Sequence, residues 1–265
     1  MPRQLNLALL VCDTPRKEVL DKYGDYPHLF TQVFNEAIGD RDVQFTWKYF
    51  DVVHKQEYPD LQDLAENKTF DAIVITGSAA SAYLDEPWIV KLVDFVKKMR
   101  AEPYRSQVRL VGVCYGHQII ARACGGTCVK NPKGWEFGVF DINLTAQGKE
   151  FLKTDKPSLR IHQVHQDHLA DLPPNFYNLA TTAPHTPFHA LVSDDNQCIT
   201  IQGHPEYLRG FVKILLTIRR DAGIVPKDYA NEQLERLDTM PDNRDDSLWF
   251  VGRVIDFILG NLRCG

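Results

Sequence analysis

Two short runs hold the residues whose types and spacing could do covalent chemistry. One is a cysteine set between glycines, Gly112-Val113-Cys114-Tyr115-Gly116, and the other is Gly203-His204-Pro205-Glu206. The first has the form G-x-nucleophile-x-G, the sharp strand-to-helix turn that strains a nucleophile's backbone and exposes its side chain at the edge of a sheet. Glycines on both sides let neighbouring elements approach, and a packing role for Cys114 would not call for them. A helix starting just after the cysteine adds its dipole and free N–H groups, which favour thiolate over thiol. A thiol nucleophile needs a base, and the base needs an orienting group. His204 is the expected base and Glu206 the group that fixes its tautomer.

The other titratable residues suggest less. Cys12, Cys124, Cys128 and Cys198 read as buried, inert thiols. His162, His165 and His168 recur every three residues and invite a zinc reading. On a strand or loop that spacing does not converge, and the acidic and thiol partners of a zinc pattern are missing. No metal and no cofactor is therefore expected; His165 is instead a candidate neighbour of the substrate. His117 stands at a helix start, where a cationic imidazole is disfavoured. The first strand ends in Cys12-Asp13-Thr14-Pro15, without the glycines of a dinucleotide or phosphate fingerprint.

The elements that must carry these residues follow from periodicity. Residues 5–12 and 72–75 are almost continuously apolar, as in strands buried on both faces of a parallel sheet. Residues 43–52, 109–113 and 198–202 also read as strands. Helical spacing marks 28–38, 60–66, 88–99, 118–124 and 206–222. Strands alternating with helices imply a doubly wound α/β fold. Residues 129–144 and 159–164 break the rhythm and suggest a mixed or antiparallel addition. After residue 225 the chain becomes charged, and a last helix is expected over 245–262. Its apolar stripe suits packing onto the domain, with a partner-binding arm as the alternative. The expected organisation is thus a catalytic domain, 1–225, with a helical extension, 226–265, packed on it.

Composition sets outer bounds. The 265 residues, 44% of them hydrophobic, suffice for a full core. The net charge of −5 and the lack of a long basic cluster speak against nucleic acid. No apolar run has the ~18 residues of a spanning helix, and no leader pattern opens the sequence. The six cysteines lack the spacing of a disulfide framework, so a reduced cytoplasmic setting, or a nuclear one, is expected.

The chain resembles the class I (triad) glutamine amidotransferase family. Gly112-Val113-Cys114-Tyr115-Gly116-His117-Gln118 fits that family's G-x-C-x-G-x-Q, and His204-Pro205-Glu206 fits its H-P-E. Thr76-Gly77-Ser78 resembles its oxyanion loop. Glu136-Phe137-Gly138 resembles its E-x-G, and His165-Gln166-Asp167 before Leu172-Pro173 its H-x-D loop. The resemblance implies a flavodoxin-like, mostly parallel sheet with an antiparallel addition, and a reaction at a γ-glutamyl amide through a Cys114 thioester. It assigns oxyanion donors to the N–H of Gly77 or Ser78 and of Tyr115, and substrate contacts to Gln118, Glu136 and His165. The chain departs from the family in lacking a Gly-Gly-Pro-like run after the third strand, and no ammonia-consuming synthase domain is expected within it. The expected function is a stand-alone γ-glutamyl hydrolase or peptidase, or a glutaminase delivering ammonia to a separate synthase subunit. An idle binding protein on the same fold, and another thiol hydrolase, are the alternatives.

Overall fold

The computed structural model describes residues 1–240 and 244–264. The chain runs through β1 (Arg3–Val11), α1 (Lys17–Tyr23), α2 (Tyr26–Glu36), β2 (Val43–Asp51), α3 (Leu61–Asn67) and β3 (Ala72–Ile75). It continues through α4 (Pro87–Met99), α5 (Tyr104–Gln107), β4 (Arg109–Val113), α6 (Tyr115–Ala123), β5 (Cys128–Lys130) and β6 (Glu136–Leu144). Then follow α7 (Ala146–Leu152), β7 (Ser158–His165), β8 (Asp167–Leu169), β9 (Phe176–Thr181) and β10 (Ala190–Ser193). The last elements are β11 (Cys198–Ile201), α8 (Arg209–Asp221), α9 (Lys227–Thr239) and α10 (Asp245–Ile258).

Nine strands form one sheet in the order β2-β1-β3-β4-β11-β10-β9-β6-β7. The first five are parallel and the last four antiparallel. This is the flavodoxin-like, mostly parallel sheet with an antiparallel addition. The apolar runs explain the parallel half. Ala72 and Val74 point into a core shared with α2, α8 and α10, whereas Ile73 and Ile75 point into one shared with α4 and α6. A strand buried on both faces needs apolar residues at every position. The carboxyl ends of β1, β3, β4 and β11 lie side by side at one edge, where ligands bind in open α/β sheets. Among the described residues no helix is long and apolar enough to cross a membrane.

Four sequence expectations need correcting. Helix α6 begins at Tyr115, not at residue 118, because Cys114 turns the chain within a single residue. Residues 129–144 form two strands, divided by the Asn131-Pro132-Lys133-Gly134 turn. Helix α8 begins at Arg209, not 206, since Glu206 is held outside it by its bond to His204. Helix α9 lies in the expected helical extension but was not placed as an element: it buries only Ala230, Gln233 and Leu237, so its apolar periodicity is faint. In the 226–265 extension, α9 packs on α8 and β6, and α10 on α2 and β7. Asp256 of α10 accepts two bonds from Arg41, at 2.7 and 2.8 Å. Residues 241–243 and 265 of that extension lie outside the described residues.

Candidate active site

The turn at Cys114 is tight because both flanking residues are glycines. A Cβ on Gly112 would stand 2.6 Å from the Gly116 carbonyl oxygen, and one on Gly116 only 2.3 Å from that of Ile75. Neither could be tolerated without moving backbone. Cys114 itself has φ 51° and ψ −101°, a strained conformation costing about 1–3 kcal/mol. Three hydrogen bonds hold it there: Cys114 N–H to Ile201 O at 2.8 Å, Gly116 N–H to Thr76 O at 3.2 Å, and Gln118 N–H to Cys114 O at 3.1 Å. The strain persists because strands on both sides pin it.

Strand β11 is the parallel neighbour of β4, so the residues following it arrive beside the cysteine. His204 lies beside Cys114: a Cβ on Gly77 would come within 2.8 Å of His204 Cε1 and 3.6 Å of Cys114 Cβ. His204 Nδ1 lies 2.7 Å from Glu206 Oε1, and all three side chains are buried. The His204 N–H donates to His162 O at 2.8 Å. Its ring lies flat on that of Tyr207, 4.0 Å between centroids and 4° between planes, and Tyr207 in turn stacks on Phe211. Glu206 Oε2 accepts no hydrogen bond among the described residues, so the imidazole is the partner of this buried carboxylate. Burial alone would push His204 down. The charges and hydrogen bonds of Cys114 and Glu206 outweigh it and carry the imidazole up to about 10. The arrangement favours the protonated imidazole of His204.

Two residues not singled out as site candidates in the sequence help to build this region. Gln202, at the end of β11, donates to Cys114 Sγ at 3.5 Å and accepts from Gln118 Nε2 at 3.0 Å. Its only sequence signal is an amide closing an otherwise apolar strand. Asp13 accepts the Ala79 N–H at 2.8 Å and so ties down the loop after β3. In that loop a Cβ on Gly77 would come within 2.8 Å of His204 Cε1. Among the described residues the N–H groups of Gly77, Ser78 and Tyr115 have no hydrogen-bond acceptor.

Cys114 opens into a cavity of about 160 Å³ lined by Ser78, Gln118, His165, Asp167, Trp135 and Arg219, among others. Gln118 and His165 thus both line the cavity into which Cys114 opens. Gln118 Nε2 donates to Asp167 O at 3.0 Å, and His165 Nδ1 lies 3.1 Å from the same oxygen.

Glu136 does not line this cavity, contrary to its expected role in substrate contact. Its carboxylate accepts from the hydroxyls of Thr182 and Thr186 at 2.6 and 2.8 Å and lies 3.0 Å from His189 Nε2 and 3.2 Å from His165 Nε2. Burial alone would raise its pKa, but the two imidazoles overcome this and hold it far below the usual carboxylate range. The carboxylate is consumed in a buried network behind His165. The histidines also group differently from the triplet considered in the sequence. His165 joins Glu136 and His189, whose ligand atoms lie within 4.8 Å of one another and could accept a small cation. His162 instead lies beside His204, and burial pushes it down to about 3. His117, also lowered to about 3 by burial, bonds Thr200 beneath the sheet. Burial raises the thiols of Cys12, Cys128 and Cys198, which suits inert packing groups.

Comparison with known proteins identifies the family. The model of the family described as glutamine amidotransferase class-I matches residues 24–211. A glutamine amidotransferase-like protein of Schizosaccharomyces pombe is 32% identical over 243 residues, covering 90% of this chain and 94% of its own. Gamma-glutamyl peptidase 4 of Arabidopsis thaliana is 32% identical over 227 residues, 84% of each chain. The fold is that of a glutamine amidotransferase from Methylobacillus flagellatus, with a TM-score of 0.68 at 20% identity over 100% of this chain and 98% of that one. The chain belongs to the class I glutamine amidotransferase family.

Proposed function

We propose that the protein hydrolyses a γ-glutamyl amide through a thioester on Cys114, acting on its own as a γ-glutamyl peptidase. The observation that carries this reading is the grouping of His204 with Cys114 around Gly77, together with its 2.7 Å contact to Glu206 Oε1. The thiolate attacks the γ-carbonyl carbon, and the carbonyl electrons move onto oxygen. The N–H groups of Gly77 or Ser78 and of Tyr115 receive that oxyanion, each worth about 2.7–4 kcal/mol in such sites. As the tetrahedral intermediate collapses, the C–N bond breaks and the His204 imidazolium gives its proton to the departing nitrogen. Neutral His204 then takes a proton from water, whose oxygen attacks the thioester. Glutamate is released and the thiolate–imidazolium pair returns. Glu206 stabilises the imidazolium at both stages without taking a proton. The γ-glutamyl peptidase relatives in Arabidopsis thaliana support the peptide over the amide as substrate class.

The test is to incubate the purified protein with glutamine and, separately, with γ-glutamylcysteinylglycine, measuring glutamate, ammonia and the released dipeptide. Dipeptide and glutamate in equal amounts, abolished in Cys114→Ala, are expected. Ammonia from glutamine alone would favour a glutaminase serving a separate synthase. No turnover of either compound sinks the proposal.

A further inference from the structure

Arg219 of α8 lines the cavity into which Cys114 opens. Its guanidinium lies over the rings of Trp135 and Phe137, at 5.1 and 5.5 Å from their centroids. Among the described residues it makes no hydrogen bond or ion pair. Several other partly buried arginines have carboxylate partners, Arg41 with Asp256, Arg100 with Asp195, Arg122 with Asp85 and Arg244 with Glu36, whereas Arg109 likewise lies over a ring, that of Phe257. Burial disfavours the charge of Arg219, so holding it without a counter-ion costs stability. The aromatic rings hold the planar cation in place but leave its five N–H donors open toward the cavity.

The neighbours of Arg219 indicate which part of a substrate it would meet. It shares the cavity wall with Cys114 and stands on the same helix as Phe211, which stacks on Tyr207. Tyr207 is the ring on which His204 lies, and His204 is the group that protonates the departing nitrogen. Gln118, His165 and Asp167 are instead bonded to one another. Arg219 therefore belongs with the leaving-group machinery.

We propose that Arg219 binds a carboxylate on the leaving group, so that the substrate is a γ-glutamyl peptide with a free C-terminal carboxylate rather than free glutamine. This rests on the γ-glutamyl hydrolase reading above. A charge-assisted, bidentate contact of this kind discriminates by about tenfold or more.

Steady-state kcat/KM is measured on γ-glutamylcysteinylglycine, on the same peptide with its C-terminus amidated, and on the peptide with its γ-glutamyl α-carboxylate amidated. The wild type is expected to prefer the free acid over the C-terminal amide by about tenfold or more. In Arg219→Met that ratio should fall to about one, while the preference for a free α-carboxylate stays; Arg219→Lys should lie between. Thermal melts check that each variant is folded. Equal rates of the wild type on acid and C-terminal amide overturn the proposal, whether or not a variant folds. So does an unchanged ratio in a folded Arg219→Met, or loss of α-carboxylate preference in its place. Failure of the parent reading looks different: no peptide is cleaved at all.

Discussion

The rings of His204 and Tyr207 lie face to face, 4.0 Å apart and 4° from parallel, with Phe211 supporting Tyr207 from beneath. A cationic imidazole gains from an aromatic face, and the stack also fixes the plane in which its two nitrogens meet Cys114 and Glu206. Replacing Tyr207 with Ala is expected to lower kcat about 100-fold with little change in KM, since misplacing a catalytic group by about 1 Å costs that much. Tyr207→Phe keeps the stack and loses only the 3.2 Å hydroxyl contact with Tyr26. It should stay within about fivefold of the wild type, the size of one neutral hydrogen bond. Steady-state kinetics of the two variants check this; equal losses in both would remove the stack from the explanation.

The pH profile reports on Glu206. His204 is carried up to about 10, so the imidazolium needed to protonate the leaving group persists until the pH rises through that value. Glu206 contributes to the rise, and Glu206→Gln should therefore move the alkaline limb of kcat/KM to lower pH while cutting the rate by about 10²–10⁴-fold. A limb that does not move would assign the elevation to Cys114 alone. Stability shows the same sign. A raised histidine contributes fully below its ordinary value of about 6.5 and loses that contribution as the pH rises through about 10.

Two glycines separate activity from folding. The Cβ in Gly116→Ala would meet the backbone oxygen of Ile75 at 2.3 Å, and overpacking against backbone should cost about 3 kcal/mol or prevent folding. In Gly77→Ala the obstacle is the edge of the His204 ring, 2.8 Å away. That variant should fold but turn over substrate about 100-fold more slowly. Denaturant melts beside initial rates distinguish the two outcomes.

Acid stability reports on the Glu136 network. Its folded value is depressed, so its contribution is complete above the unfolded value of about 4.3 and is lost as the pH falls below it. His117 and His162, lowered to about 3, and His189, also lowered, act in the same direction over a higher range. What they contribute is present above about 6.5 and fades as the pH falls toward their folded values. Glu136→Ala removes the acceptor of two hydroxyls and two imidazoles and should cost about 3–5 kcal/mol near neutrality. The loss should shrink below about pH 4. Urea midpoints across that range check it.

The catalytic candidates were legible because each is a contiguous motif. The glycines beside Cys114 and the His204-Pro205-Glu206 run declare themselves without knowledge of distant contacts. Residues that act through packing were not. Gln202 is an amide at a strand end until β11 brings it to the sulfur, and Asp13 matters only through the Ala79 N–H it accepts. Glu136 was identified as important but given the wrong neighbours, since the threonines that bind it lie some fifty residues further on. Helix α9 escaped notice because its buried stripe is nearly as polar as its exposed face.

The adjacency of β4 and β11 also has a bearing on synthesis. The thiol and its base are neighbours in the sheet yet 90 positions apart in sequence. A chain growing from its amino end presents Cys114 long before His204 and Glu206 exist. Until β11 docks beside β4, the cysteine has neither the imidazole of His204 nor the carboxylate of Glu206 beside it. On the proposed mechanism, the growing chain stays chemically silent by its strand order until most of it has been made and the sheet has closed.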